Sequence, residues 1–156
     1  MTFRIVGLDP AAFAHLFALS EPDLTKVGAR RVRIEQEHAA PCRISLEDAE
    51  IGETVVLLNH IHQPADTPYR QQGPIFIRDS SHRFDAIGAI PPALARRTLS
   101  LRGFDADHMM IEAELCEGSA AAGLIERFFV DRSVAYIHAH YARRGCFAAL
   151  VERASH

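Results

Sequence analysis

Apolar and polar positions change period along this chain, and the change divides it into a helical start and a β-rich body. Residues 3–6 predict a short edge strand. Asp9 is then placed as an N-cap with Pro10 at the first helical position, and Phe13, Leu16 and Phe17 share one helical face. Ser20 followed by Asp23 makes a capping-box start for a second helix. Leu19 and Leu24 bracket that start as a hydrophobic staple, and Gly28 ends the helix. Beyond residue 30 the period shortens towards two. Residues 31–35 alternate weakly, whereas residues 53–62 predict a strong strand. Val56 and Leu58 share one of its faces with His60 and His62, and Val55, Leu57 and Ile61 share the other. Apolar residues on both faces argue for a central strand covered on both sides. A proline-rich loop over 63–74 follows, then extended structure over 75–78. Residues 79–89 show no period and read as a surface loop.

The stretch 99–115 reads as a hairpin. Pairing Leu99 with Leu115 and Leu101 with Ala113 makes one wholly apolar face, closed by a three-residue loop at 106–108. That register sets Arg102 opposite Glu112 as a cross-strand ion pair. Ser119 then caps a helix whose Leu124, Ile125, Phe128 and Phe129 form an apolar stripe. Two last strands, 134–141 and 146–151, are joined by a turn in which Gly145 suits positive φ. The expectation is a single α+β domain over residues 1–156. Its sheet is mainly antiparallel, or else mixed or partly curled into a barrel, with two N-terminal helices and one late helix.

Composition mostly excludes. No apolar run nears the roughly 20 residues that cross a bilayer, and the first residues lack the basic-then-apolar order of an export signal, so a cytoplasmic protein is expected. A net charge of −3 gives no overall attraction to nucleic acid or an anionic membrane. The basic doublets Arg30–Arg31, Arg96–Arg97 and Arg143–Arg144 read as solvated turn or strand-end residues. Three cysteines without a CxxC pair suggest reduced thiols, with neither a zinc ribbon nor a redox dithiol.

The candidate chemistry centres on two His-x-His pairs, His60–His62 and His138–His140, each near the end of a predicted strand. Side chains two apart on a strand share a face, so each pair can converge on one metal or one anion. The competing reading is of half-buried imidazoles hydrogen-bonded at strand ends. Near them, Tyr69 and Arg70 sit in the proline-held loop, where a guanidinium suits bidentate capture of carboxylate or phosphate, or pins the loop to carbonyls. Cys146 follows Gly145, and a thiolate beside an imidazolium would be nucleophilic; a cysteine on an apolar strand is otherwise plain core.

Several segments together resemble one family: Cys42-Arg-Ile-Ser-Leu-Glu-Asp-Ala49, Gly52-Glu-Thr-Val-Val-Leu-Leu-Asn59, Pro68-Tyr-Arg-Gln-Gln-Gly-Pro-Ile-Phe-Ile-Arg78, Leu99-Ser-Leu-Arg102 and His138-Ala-His-Tyr-Ala-Arg-Arg-Gly-Cys-Phe-Ala-Ala149. In order and over nearly the whole chain, they resemble the bacterial Domain of Unknown Function 1203 family. The resemblance implies a small stand-alone protein and attaches no activity. The family pattern commonly has tyrosine at the position of His60 and asparagine at that of Tyr141, which favours three shared histidines over four. The leading expectation is a small-molecule site for an anionic metabolite, binding or enzymatic. Arg70 and Arg43 hold the anion, Tyr69 and Arg102 add to the binding surface, and His62, His138 and His140 act as acid–base groups. Cys146 or Cys42 serves as nucleophile. Two alternatives stand beside it. One is a metal-dependent enzyme in which His62, His138 and His140 ligate a transition metal. The other is a non-catalytic binding or interaction module braced by the same polar residues.

Overall fold

A computed structural model describes residues 2–79 and 82–155. The chain forms strand β1 (Thr2–Val6), two 3₁₀ segments (Pro10–Ala12 and Ala14–Ala18) and helix α1 (Glu21–Lys26). Next come β2 (Arg30–Arg33), β3 (Thr54–Gln63), β4 (Gln71–Ile77), β5 (Asp85–Ile87) and α2 (Pro92–Ala95). The C-terminal part consists of β6 (Thr98–Phe104), β7 (Met110–Glu117), α3 (Ala121–Val130), β8 (Tyr136–Tyr141) and β9 (Phe147–Ala154). The fold is α+β. Two antiparallel sheets carry it, one of six strands in the order β5-β1-β9-β8-β6-β7 and one of three in the order β2-β3-β4.

The local signals at the start hold in part. Asp9 accepts from the Ala11 N–H at 3.0 Å and Ser20 from the Asp23 N–H at 3.2 Å, so both caps form. Behind Asp9, however, the chain winds as 3₁₀ turns, and only the second expected helix is α. The turns bury Phe13 and Leu16 against Leu24, Val56, Ile75 and Ile77, a small core on one face of the three-stranded sheet. The larger core lies under α3, whose Leu124, Ile125, Phe128 and Phe129 cover Phe3, Ile5, Leu99, Leu101, Ile137 and Val151 of the six-stranded sheet. Ser119 is not the cap of α3. It lies in a 3₁₀ turn, and Ala120 occupies the cap without a side-chain hydrogen bond.

Several expectations about strands fail. β1 is not an edge strand, because β5, within the stretch expected to be a loop, pairs outside it; Ser80 and Ser81 of that stretch lie outside the described residues. The β6–β7 register is one residue from the expected one: Leu99 faces Cys116, Leu101 faces Glu114 and Arg102 faces Ala113. A one-residue slip reverses every side chain. The Arg102–Glu112 ion pair is therefore absent, since Gly103 stands opposite Glu112, and Ile111 and Leu115 are exposed while α3 covers Leu99 and Leu101. β3 is central in the small sheet but covered on both faces only near its start, where Val55 and Val56 are buried.

Residues 40–46 are all buried and tie the two sheets together. Arg43 N–H bonds to the Phe76 carbonyl at 3.0 Å, Leu8 N–H to the Arg43 carbonyl at 2.8 Å, and Ala93 N–H to the Leu46 carbonyl at 3.0 Å. Gly123 lies on the exposed side of α3, with open space where a Cβ would stand. Gly123→Ala should stabilise the fold by about 1 kcal/mol through helix propensity alone, raising Tm by about 2–4 °C in a calorimetric scan.

Candidate functional site

β3 and β8 belong to different sheets, yet the sheets face each other and bring the histidine pairs together. The His62 ring lies 5.0 Å from His140 and 6.0 Å from His138, between ring centres. Phe147 of β9 stacks flat on His62 at 5.0 Å and meets His138 edge-on at 5.2 Å. His60 stands apart from the other three, against Phe13 at 5.9 Å and Phe147 at 6.3 Å. Hydrogen bonds fix two tautomers. Gln71 Oε1 receives Arg102 Nη1 at 3.2 Å and so also accepts from His62 Nε2 at 3.1 Å; the Gly145 carbonyl accepts from His140 Nδ1 at 2.9 Å. His62 Nδ1 and His138 Nδ1 are buried without a partner.

These imidazoles are held neutral. Burial, helped by neighbouring positive groups, pushes His138 down to about 3 and His140 to about 4. A general base for neutral pH is best matched near 7, so the acid–base role expected for His138 and His140 finds no support in this environment. The three rings are also not arranged as a ligand set: among the described residues no group of three His, Cys, Asp or Glu side chains is placed to hold a metal ion.

A second feature lies at the other face of β8. Tyr141 follows His140, so its side chain goes to the opposite side of the sheet, where it lines a cleft of about 890 Å³. Arg43, Arg96, Arg97, Arg143, Arg144 and Cys146 line the same cleft. Arg43 is 3% exposed. Its Nε donates to the Phe147 carbonyl at 2.7 Å, its Nη1 donates to the Pro41 carbonyl, and its guanidinium lies 5.0 Å from the centre of the Tyr141 ring. Arg97 also approaches the Tyr141 ring, at 5.2 Å. Their charges are balanced very differently. Arg97 meets Asp48 at 2.6 Å, and Arg96 meets the same carboxylate at 3.3 Å. Arg43 has no carboxylate partner among the described residues, and burial lowers its pKa. Burial likewise pushes the Tyr141 phenol up to about 12, and its hydroxyl has no hydrogen-bond partner.

The site expected as one is therefore two. Arg43 and Cys146 share the arginine-lined cleft, while His62, His138, His140 and Arg102 lie between the sheets. Tyr69 rests edge-on to Phe104 at 6.3 Å, on the histidine side. Arg70 is exposed and bonds the Pro64 carbonyl, which is the loop-pinning reading. Cys42 is fully buried in the small core, and its sulfur takes the backbone N–H groups of Ile44 and Arg78, so burial removes it as a nucleophile. Two of the three basic doublets line the cleft: Arg143 and Arg144 as exposed turn residues, as expected, and Arg96–Arg97 through their shared carboxylate, Asp48. The usable signal was local: Tyr141, Arg143, Arg144 and Cys146 sit on one hairpin closed by Gly145, whose φ is +80°.

A family model described as Protein of unknown function (DUF1203) matches residues 39–153, a span holding the histidine cluster and most of the cleft lining. No curated protein and no solved structure matches the chain.

Proposed function

The chain belongs to that family of unknown function, and from its geometry we propose that it binds a small organic anion, a carboxylate or a phosphate, in the cleft beside Tyr141. One observation carries this: the Arg43 guanidinium is buried and has no carboxylate partner among the described residues. An ion taken out of water without a counter-ion is costly, and two carbonyls and an aromatic face offset only part of that cost. An anion entering the cleft would supply the missing charge. Its oxygen could accept from the Tyr141 hydroxyl, which has no acceptor of its own. Cys146 lines the same cleft and would place a thiol beside the bound group; binding does not require it to react.

A thermal-shift panel of carboxylates and phosphates at low ionic strength, run on wild type and two variants, tests the reading. At least one acidic compound should raise Tm, and Arg43→Gln should weaken its binding about tenfold or more. Tyr141→Phe separates binding from folding. Removing an unsatisfied buried hydroxyl should leave the protein as stable or about 1 kcal/mol more so, while anion affinity drops about fivefold. If no compound prefers the wild type to Arg43→Gln, the cleft is not an anion site.

A further inference from the structure

The arginines of the cleft fall into two groups once their partners are counted. Arg96 and Arg97 share Asp48, whose single charge offsets one of the two. Arg43, Arg143 and Arg144 have no carboxylate partner among the described residues. These three are arranged along one hairpin. Arg43 is clamped at its base, where Nε meets the Phe147 carbonyl and the guanidinium lies beside Tyr141. Arg143 and Arg144 stand exposed in the turn beyond Tyr141. They follow Tyr141 by two and three residues in a tight turn closed by the Gly145 N–H bond to the Tyr141 carbonyl at 2.8 Å, so their Cα atoms stay within roughly 7 Å of Tyr141 and their long side chains supply the rest of the reach. The small sheet gives the cleft an apolar part of its lining: Leu57, Pro74 and Phe76, with Pro41. The volume of about 890 Å³ is far more than an inorganic anion fills, and it lies in the range of organic ligand pockets.

We propose that the cleft takes an organic dianion, with one acidic group seated on Arg43 and Tyr141, an apolar middle against Leu57 and Phe76, and a second acidic group at Arg143–Arg144. This rests on the anion-binding reading and names its substrate class. Glu37 and Glu117 also line the cleft and would oppose a second negative charge near them. Glu37 precedes His38, which meets Asp48, and Glu117 of β7 accepts from Thr98, the neighbour of Arg97, so both lie on the side where Asp48 gathers Arg96 and Arg97. The ligand axis therefore follows the β8–β9 hairpin and leaves that side empty. A zwitterion, with its ammonium at the glutamates, is the competing outcome.

Three compounds of one length separate the cases: hexanoate, hexanedioate and the ω-amino acid aminohexanoate. They share the acidic head and the apolar chain, and differ only in the charge at the far end. Calorimetric titration into the full chain at low salt should show hexanedioate binding about tenfold tighter than hexanoate. In the double variant Arg143→Gln/Arg144→Gln, whose positions are exposed and in a turn, that advantage should shrink to within about twofold. Arg43→Gln should weaken both acids together. Equal binding of the two acids overturns the dianion while leaving an Arg43-dependent anion site intact. Tightest binding by the amino acid overturns it in favour of a zwitterion. Binding that ignores Arg43→Gln overturns the underlying reading as well. Failure of both acids to bind at millimolar concentration removes the dianion, and the broader panel then decides alone whether the cleft binds anions.

Discussion

Lowering the pH from 7.5 to 5 is expected to remove about 4 kcal/mol from the stability of the fold, about 2 kcal/mol through each of His138 and His140. In the folded chain their pKa values lie near about 3 and about 4, while in the unfolded chain both return to the ordinary imidazole value of 6.5. Between those limits the unfolded chain takes up protons that the folded chain refuses. Stability contributed by the neutral rings is thus complete above 6.5 and is lost as the pH falls below it. Burial is the main cause, and the surroundings reinforce it. His140, His62, Arg102 and His108 act on His138, and Arg102, His62 and, from across the strand, Arg43 act on His140; of the groups acting on the two rings, only the Gly145 carbonyl, on His140, favours the charged form. Domains commonly have roughly 5–15 kcal/mol in total, so the loss is a large share.

Denaturant titrations at the two pH values measure the effect, and the window stops where most carboxylates still keep their charge. The double variant His138→Gln/His140→Gln should show a much flatter pH dependence even where its stability at pH 7.5 is lower. A wild-type loss below about 1 kcal/mol, or a slope that survives in the double variant, sinks the assignment.

Gly7→Ala should cost about 3 kcal/mol or more and weaken anion binding in the same stroke. A Cβ at position 7 would stand 2.0 Å from the Ile44 carbonyl oxygen and 3.2 Å from that of Arg43. Neither can withdraw cheaply. The Ile44 oxygen accepts the Phe84 N–H at 2.9 Å, the Arg43 oxygen accepts the Leu8 N–H at 2.8 Å, and Gly7 itself donates to the Phe84 carbonyl at 2.8 Å. Overpacking on backbone sits at the costly end of such substitutions. The segment pushed aside is the one that carries the Arg43 side chain to the cleft. Gly73→Ala is the control: open space surrounds its Cβ position and its φ is not positive, so stability should change by less than about 0.5 kcal/mol. Urea unfolding of both variants, with hexanedioate titration alongside, reads the two effects. A Gly7→Ala protein as stable as Gly73→Ala would show that the residue 43–44 backbone yields easily, and would remove the coupling to Arg43.

Most features legible from sequence are those whose physics is contained within a few residues. The Asp9 and Ser20 caps form because each oxygen meets an N–H two or three residues on. The α3 stripe is buried as a helical period requires, and Gly145 takes positive φ in its turn. The grouping of Val56, Leu58, His60 and His62 on one face of β3 also follows from the two-residue repeat, and Phe13, Phe147 and His140 lie against that face. Even the meeting of His62 with His138 and His140 was foreseeable as a geometry, though nothing local could place two strands of different sheets face to face.

What the chain left open were choices between arrangements of equal local merit. Both β6–β7 registers preserve alternation; the observed one turns Cys116 to the core under α3 and Glu114 to Arg127 of α3 at 3.9 Å, and an irregularity between Gly103 and Phe104 re-sets the pairing. Arg43 reads in sequence as one more arginine beside a cysteine. Only the contacts made around residues 40–46, from β4, the Gly7–Leu8 turn and α2, take its charge out of water. The two-residue repeat of a strand already implied that His140 and Tyr141 point apart. That each side would be occupied, one by imidazoles kept neutral between sheets and the other by guanidiniums around a cleft, depended on long-range packing, because burial and the balance of charge are properties of the neighbours a residue acquires.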